Sequence, residues 1–447
     1  MVPTWRLRAA FARRLSDMYG AEVPAYTTLL EAAGQVNDDV LRGSGPAAER
    51  LGSIERVTAE RHGAIRVGTP RELRQVAQVF AALGMEPVGF YDLRDAAASA
   101  VPVVSTAFRP VGAPELARNP FRVFTSLLTS GDRRFFDEEL SGRLDAFLAR
   151  RVLFPPELLA LAEHAEREGG LPPERAERFL TLAVAAFELS PEPVDRAWYA
   201  ELERVSAVAA DIGGVGSTHI NHLTPRVLDI DELYRRMSDL GVTMIDRIQG
   251  PPRWDGPAVL LRQTSFRALA EARSFREPDG RVTRGSLRVR FGEVEARGIA
   301  LTRAGRALYD DLIAEPAEVW TARFPRTERE LAVGRQAYFT YEPVPDRPRD
   351  GMRPPHDLAG LLDGGWLAAR PIVYEDFLPR SAAGIFQSNL DHSGTRSAGL
   401  PDAHYDQEWL AGAMGRPVHD PFDLCAAQQE RSLARALTAL DLPEETV

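Results

Sequence analysis

THINHLTPRVLDID, residues 218–231, holds two histidines three positions apart, ahead of a proline and an acidic helix start. On a continuous strand, residues an odd number apart point to opposite faces, so His219 and His222 cannot both face one metal. A second stretch decides between them. In HGAIRVGTPREL, residues 62–73, His62, Arg66, Val67, Glu72 and Leu73 stand at the same offsets as His222, Arg226, Val227, Glu232 and Leu233. His222 has a counterpart and His219 has none, which marks a duplicated unit whose opening strand carries a histidine.

Working outward, each of the two strands runs into a helix. TPRELRQVAQVFAALG, residues 69–84, has Pro70 at its start, apolar positions at Leu73, Val76, Val79, Phe80 and Leu83, and Gly84 as its stop. Three strand-like runs follow: PVGFYDL, VPVVSTAFRPV and FRVFTSLL. The second copy reads HINHLTPRVL as strand and DIDELYRRMSDLG as helix, then VTMIDRI, AVLLRQTSF and SLRVRFGEVEARGIAL as strands. The expected class is therefore α+β, with βαβββ units at residues 51–130 and 206–315. Residues 1–50 form a helical segment and 131–205 a helical insertion. Residues 316–447, Pro- and Arg-rich and irregular until Trp366, wrap the two units and end in a helix.

Composition bounds the chemistry. The 447 residues suit two or three packed units. A net charge of −10 with no basic run argues against nucleic acid as a partner. No window is long and apolar enough for a membrane span, and VPTWRLRAAFARRLSDMYG reads as an amphipathic helix rather than a signal peptide. A cytoplasmic protein with no membrane partner is expected. The single Cys425 excludes an internal disulfide and a thiolate cluster, leaving histidine and carboxylate as metal ligands. Of the eight histidines, His164 reads as a helix-surface residue and His356, His392, His404 and His419 as loop residues. Arg66 lies four residues after His62, on the same strand face and about 13 Å along it. Its fork suits the carboxylate of a short diacid. Glu293 and Glu295 share one strand face, so alternation alone does not separate them.

Paired units that open on a histidine-bearing strand resemble the vicinal oxygen chelate architecture, in which two βαβββ modules curl their sheet around one metal. NHLTPRVLDIDELYRRMSDLG is similar to that superfamily's opening strand and helix, and FGEVEARG, residues 291–298, to its closing carboxylate strand. The resemblance implies His62, His222 and Glu293 as metal ligands, Glu293 being preferred because F-x-E-V matches the closing strand better. Together with HGAIR and YEDFLPRSAAGIFQSNL, these stretches resemble the 2-oxoadipate dioxygenase/decarboxylases, also called hydroxyglutarate synthases, over residues 15 to 430. That family implies an Fe(II) enzyme of lysine catabolism that turns a 2-oxo diacid, 2-oxoadipate, and O2 into 2-hydroxyglutarate and CO2. It further implies Arg66 as a catalytic, substrate-binding residue and a pocket wall around Arg380 and Ser381. A small apolar residue is expected just before Ser381, whereas this chain has Arg380. Two other readings remain open: a metal-dependent lyase or isomerase on the same scaffold, and a non-catalytic small-molecule-binding protein.

Overall fold

The computed structural model of the chain describes residues 1–95, 101–345, 351–378 and 404–443. It is a mixed α/β molecule with several small sheets, none of them closed. Two helices open it, Thr4–Glu22 and Pro24–Ser44, divided where Pro24 starts the second. Strand β1, Arg61–Val67, is followed by the helix Pro70–Ala81, whose N-cap Thr69 accepts from the Glu72 N–H. Then come β2, Glu86–Asp92; β3, Val103–Arg109; and β4, Arg122–Leu128. The strand, helix and three strands expected for the first unit are all present.

Helices spanning Glu138–Ala149, Pro156–Glu168, Pro173–Ala185, Arg196–Val205 and Ala207–Gly213 fill the segment before β5, His222–Pro225. The helix Ile230–Asp239 follows, capped by Asp229, and then β6, Leu261–Phe266. The hairpin of β7, Glu271–Arg276, and β8, Val282–Leu287, precedes β9, Gly292–Arg297.

Strand order in the main sheet is β2-β3-β4-β1-β5. β1 runs parallel to β4 and antiparallel to β5, with Ala64 opposite His222 and His62 opposite Thr224. Both histidines thus project from one face, diagonally across the ladder. β9 pairs antiparallel with β6, and a bridge between Arg226 and Glu295 sets β9 beside the exit of β5. The N-terminal helices close over this seam. Tyr19 Oη lies 3.1 Å from Asn221 O and 2.9 Å from Phe291 O, while Asn37 donates to Arg226 O (3.2 Å) and accepts from the Leu228 N–H (2.7 Å).

Three sequence expectations are corrected. VTMIDRI forms no full strand and contacts β6 only through a bridge at Met244, with another at Gln249 just beyond it. SLRVRFGEVEARGIAL is divided between β8 and β9, because Arg290 turns inward to Glu271 (2.9 Å) and to Glu22, taking the backbone out of the ladder. The stretch before Trp366 is ordered where it is described. It carries helices Ala317–Arg323, Glu328–Val333 and Leu358–Asp363, and a strand Phe339–Pro343 paired with Leu367–Pro371. Trp320 organises this region from within an apolar cluster containing Val259, Ile299, Tyr309, Phe324 and Phe339, its indole N–H donating to Leu312 O at 2.8 Å.

Gly292 packs hard against β6, since an added Cβ would fall 1.9 Å from Phe266 Cε1. Gly292→Val should therefore destabilise the chain by about 1–3 kcal/mol. It should also shift Glu293 beside it, read as a lower urea midpoint together with weaker divalent-metal uptake.

Candidate metal centre

The β1–β5 ladder and the adjacent β9 bring His62, His222 and Glu293 together in the interior. One ligand atom from each lies within 4.8 Å of the others, and all three residues are buried. The two imidazoles turn their Nε2 atoms toward separate oxygens of one carboxylate: His62 Nε2 is 3.6 Å from Glu293 Oε1, and His222 Nε2 is 3.5 Å from Glu293 Oε2. Three donors of this kind on one side could hold a divalent metal and leave its remaining positions to exogenous ligands.

Glu295, two residues along the same face, meets the other edge of the His62 ring. Its Oε2 is 3.1 Å from His62 Nδ1, off the line of a straight hydrogen bond. Ring geometry separates the two carboxylates that strand alternation leaves equivalent. Arg297 grips Glu295 at two points (2.6 and 2.9 Å), and Arg122 Nη1 lies 3.4 Å from Glu295 and 2.8 Å from Glu60. Arg226 joins Glu60 at 3.0 Å, and Glu375 pairs with both Arg56 and Arg122. These buried charges satisfy one another beneath His62.

Burial alone would push Glu295 up, but Arg297, His62 and Arg122 outweigh it and hold the carboxyl at about 2. Glu293 is raised above the usual carboxylate range, chiefly by burial, despite His62. His62 is raised because Glu295 and Glu293 overcome its burial. His222 is held well below its ordinary value by burial, then by His62 and Arg66, and is a neutral, ligand-ready imidazole at pH 7. Thr224 Oγ1 stands 3.0 Å from His222 Nδ1, Phe291 stacks on the His222 ring at 5.0 Å, and Phe377 meets His62 edge-on at 5.0 Å. Gln263, opposite Glu295 on β6, donates to Glu293. The sequence reading missed Gln263 and Phe377, although Phe377 lies in the YEDFLPRS stretch it singled out.

His219 is elsewhere. Its Nε2 lies 3.4 Å from Asp211 Oδ1 and 3.2 Å from the Asn221 side chain, and burial above all depresses it to about 4. Arg66, also buried, pairs with Asp211 through Nη1. His164 is half-buried on its helix, His356 and His404 are on the surface, and His419 bridges Val88 through its backbone. Arg380, Ser381 and His392 lie outside the described residues.

Within this mixed α/β architecture, the buried two-histidine, one-carboxylate cluster is of the kind that could hold a divalent metal with positions left open. Comparison with known proteins is more specific. The model of the 2-oxoadipate dioxygenase/decarboxylase family matches residues 11–389, and the chain belongs to that family. It is 60% identical over 432 residues to the 2-oxoadipate dioxygenase/decarboxylase of Mycobacterium tuberculosis strain H37Rv, covering 96% of this chain and 98% of that one. The Pseudomonas putida protein of the same name is 41% identical over 463 residues, covering 98% and 97%. The crystal structure of hydroxyglutarate synthase from Pseudomonas putida in complex with 2-oxoadipate superposes with a TM-score of 0.84 at 39% identity, covering 99% of both chains.

His62→Ala and His222→Ala should each abolish retention of divalent metal through gel filtration, measured by elemental analysis, while His219→Ala keeps it. Equal loss in the His219 variant would remove this assignment. Glu295→Gln should weaken metal affinity by about 10–100-fold, read by chelator competition. A pH test isolates His219. Its folded-state pKa is depressed, so between pH 6.5 and about 4 the unfolded chain takes up the proton first, and stability falls as pH falls through that window. The metal-free His219→Gln variant should lose less stability than the metal-free wild type across it, by urea midpoint.

Proposed function

We propose that the chain is an Fe(II)-dependent 2-oxoadipate dioxygenase/decarboxylase, converting 2-oxoadipate and O2 into 2-hydroxyglutarate and CO2 in lysine catabolism in the cytoplasm. The observation that carries this reading is the meeting of His62, His222 and Glu293 on one buried face. Family membership and the relatives' named activity supply the substrate and the reaction type. The reaction balances: six carbons enter as the diacid, one leaves as CO2, and both atoms of O2 enter the products. The fold is read as two vicinal-oxygen-chelate-like modules joined at β1 and β5, within the boundaries 51–130 and 206–315. The β6–β9 pair beside β5 mirrors β3–β4 beside β1.

His62, His222 and Glu293 would hold the iron, whose chemistry when bound is to activate O2 beside a chelated 2-oxo acid. The remaining work falls to the chain. Phe377 and Phe291 pack against the two imidazoles, with Phe124 behind Phe377, and this apolar surface keeps water from the reacting carbons. Glu295, 3.1 Å from His62 Nδ1, places negative charge at that edge of the ring and favours the proton there, which leaves Nε2 for the metal. Arg66, on the face that carries His62, receives the distal carboxylate and sets the distance between the two charged ends of the substrate. Arg380 and Ser381 belong to this reading through the AAGIFQSN resemblance alone, as a wall against the substrate.

A chain that measures two charged ends should prefer a six-carbon diacid to its five-carbon homologue and to a monoacid of equal length. A guanidinium that loses its carboxylate forfeits on the order of 2–5 kcal/mol, so kcat/KM for 2-oxohexanoate should fall more than about tenfold below that for 2-oxoadipate. Arg66→Lys retains charge without the fork and should be nearly as impaired as Arg66→Ala. The assay is O2 uptake by Fe(II)-loaded protein with 2-oxoadipate, 2-oxoglutarate and 2-oxohexanoate. Equal rates for diacid and monoacid in the wild type would take Arg66 out of the site, and turnover without O2 would favour a lyase.

A further inference from the structure

Asp211 is a buried carboxylate that the reaction as described does not use. It lies on the helix Ala207–Gly213, 145 residues from Arg66, yet its carboxylate gathers three side chains around one point. Oδ2 accepts from Arg66 Nη1 and from Asn221 Nδ2 (3.0 Å), and Oδ1 lies 3.4 Å from His219 Nε2. The side chains of Arg66, Asp211 and His219 are each 3% exposed. Asn221 is also 3.2 Å from His219, so Asp211, Asn221 and His219 close a ring of contacts at the end of Arg66. The Arg66 backbone is fastened there as well, by the Thr218 hydroxyl donating to Arg66 O at 2.7 Å.

We infer that Asp211 is the positioning residue that aims the Arg66 guanidinium at the distal carboxylate of the substrate and thereby sets the preference for diacids. The inference rests on the proposed role of Arg66. An arginine side chain holds about 2 kcal/mol of rotamer freedom, which a binding event must remove unless folding has removed it already. Asp211 fixes one end of the fork before substrate arrives, and pre-organisation of this kind is gained as affinity for the charged end. A second guanidinium, Arg273, also interacts electrostatically with Asp211. His219, set aside as a metal ligand, has a place here: a neutral imidazole that completes the shell around Asp211 without adding a competing cation.

The experiment measures kcat/KM for 2-oxoadipate and for 2-oxohexanoate by O2 uptake in Fe(II)-loaded wild type, Asp211→Asn, Arg66→Ala and the double variant. In Asp211→Asn the diacid value should fall about tenfold more than the monoacid value, mainly through KM, and the same substitution should leave the ratio unchanged when Arg66 is already Ala. An Asp211→Asn ratio within twofold of wild type, or a fall of equal size in the Arg66→Ala background, would overturn the inference. A wild type without diacid preference, or one that keeps its preference in Arg66→Ala, would instead defeat the reading of Arg66 on which it stands. If Asp211→Asn does not fold, Asn221→Ala removes one hydrogen-bond donor from Asp211 and is read in the same way. A ratio lowered at least about threefold supports the inference and an unchanged ratio defeats it.

Discussion

Everything in the candidate metal centre depends on the register of one short ladder. Between β1 and β5 only Arg61 to Ala64 and His222 to Pro225 are paired, and that pairing puts His62 and His222 on one face with ring centroids 5.3 Å apart. A slip of one residue would turn His222 to the opposite face and offer Leu223 in its place. So short a ladder is not held by its own hydrogen bonds alone. The backbone N–H of Asn221 extends it by donating to Ala64 O (2.8 Å), and Gly63 accepts the close approach of Ile220 and Leu223, since a Cβ there would fall 2.7 Å from Ile220 Cδ1. Tyr19 and Asn37 fasten the same seam from the N-terminal helices.

The buried charges follow from that seam. Glu60 precedes β1, Arg122 opens β4 opposite His62, Arg226 leaves β5, Glu295 and Arg297 lie on β9, and Glu375 comes from the C-terminal part of the chain. Each would be costly alone in the interior, and each has a partner from another segment. The lattice requires all these segments to be in place at once, and it delivers the Glu295 carboxylate to the Nδ1 edge of His62. Replacing a single member would strand an opposite charge, a larger loss than the pair's net contribution.

This explains what could and could not be read from the chain. The strand, helix and three strands of the first unit were legible because hydrophobic spacing and stop residues agree there, and the matched offsets of His62 and His222 singled out the pair that meets edge-on across the β1–β5 ladder. The same offsets misled at other positions. Arg66 and Arg226 occupy equivalent places after their histidines, but Arg66 meets Asp211 while Arg226, beyond the end of β5, pairs with Glu60 and reaches Leu51 O. Glu72 is buried, caps the Gly68 N–H and pairs with Arg151, while Glu232 stays near the surface with Arg235 and Arg236. Equivalent positions along the two stretches meet different surroundings, because the segments packed against them differ. Asp211 had no local signal, because its meaning lies in residues that only the tertiary fold brings near. The divided strand at 286–301 was illegible for a related reason, since what breaks it is the pull of Glu271 and Glu22 on Arg290.

Dryness gives the centre its electrostatic logic. Burial holds His222 neutral and raises Glu293, so without a cation the centre carries a carboxylate that is poorly solvated and answered mainly by His62 and Gln263. A divalent cation held by His62, His222 and Glu293 would reverse the sign of that cost, because the two imidazole lone pairs and the negative charge would then be answered by the ion in a buried setting where each contact is strong. The same aromatic surroundings that make the Glu293 charge costly alone would strengthen its contact with a bound cation. Since the unfolded chain has no such preformed cluster, the binding energy adds directly to folding stability. Glu295 is committed to Arg297 and Arg122 and approaches His62 from the Nδ1 edge, whereas Glu293 is the carboxylate that stands with both Nε2 atoms.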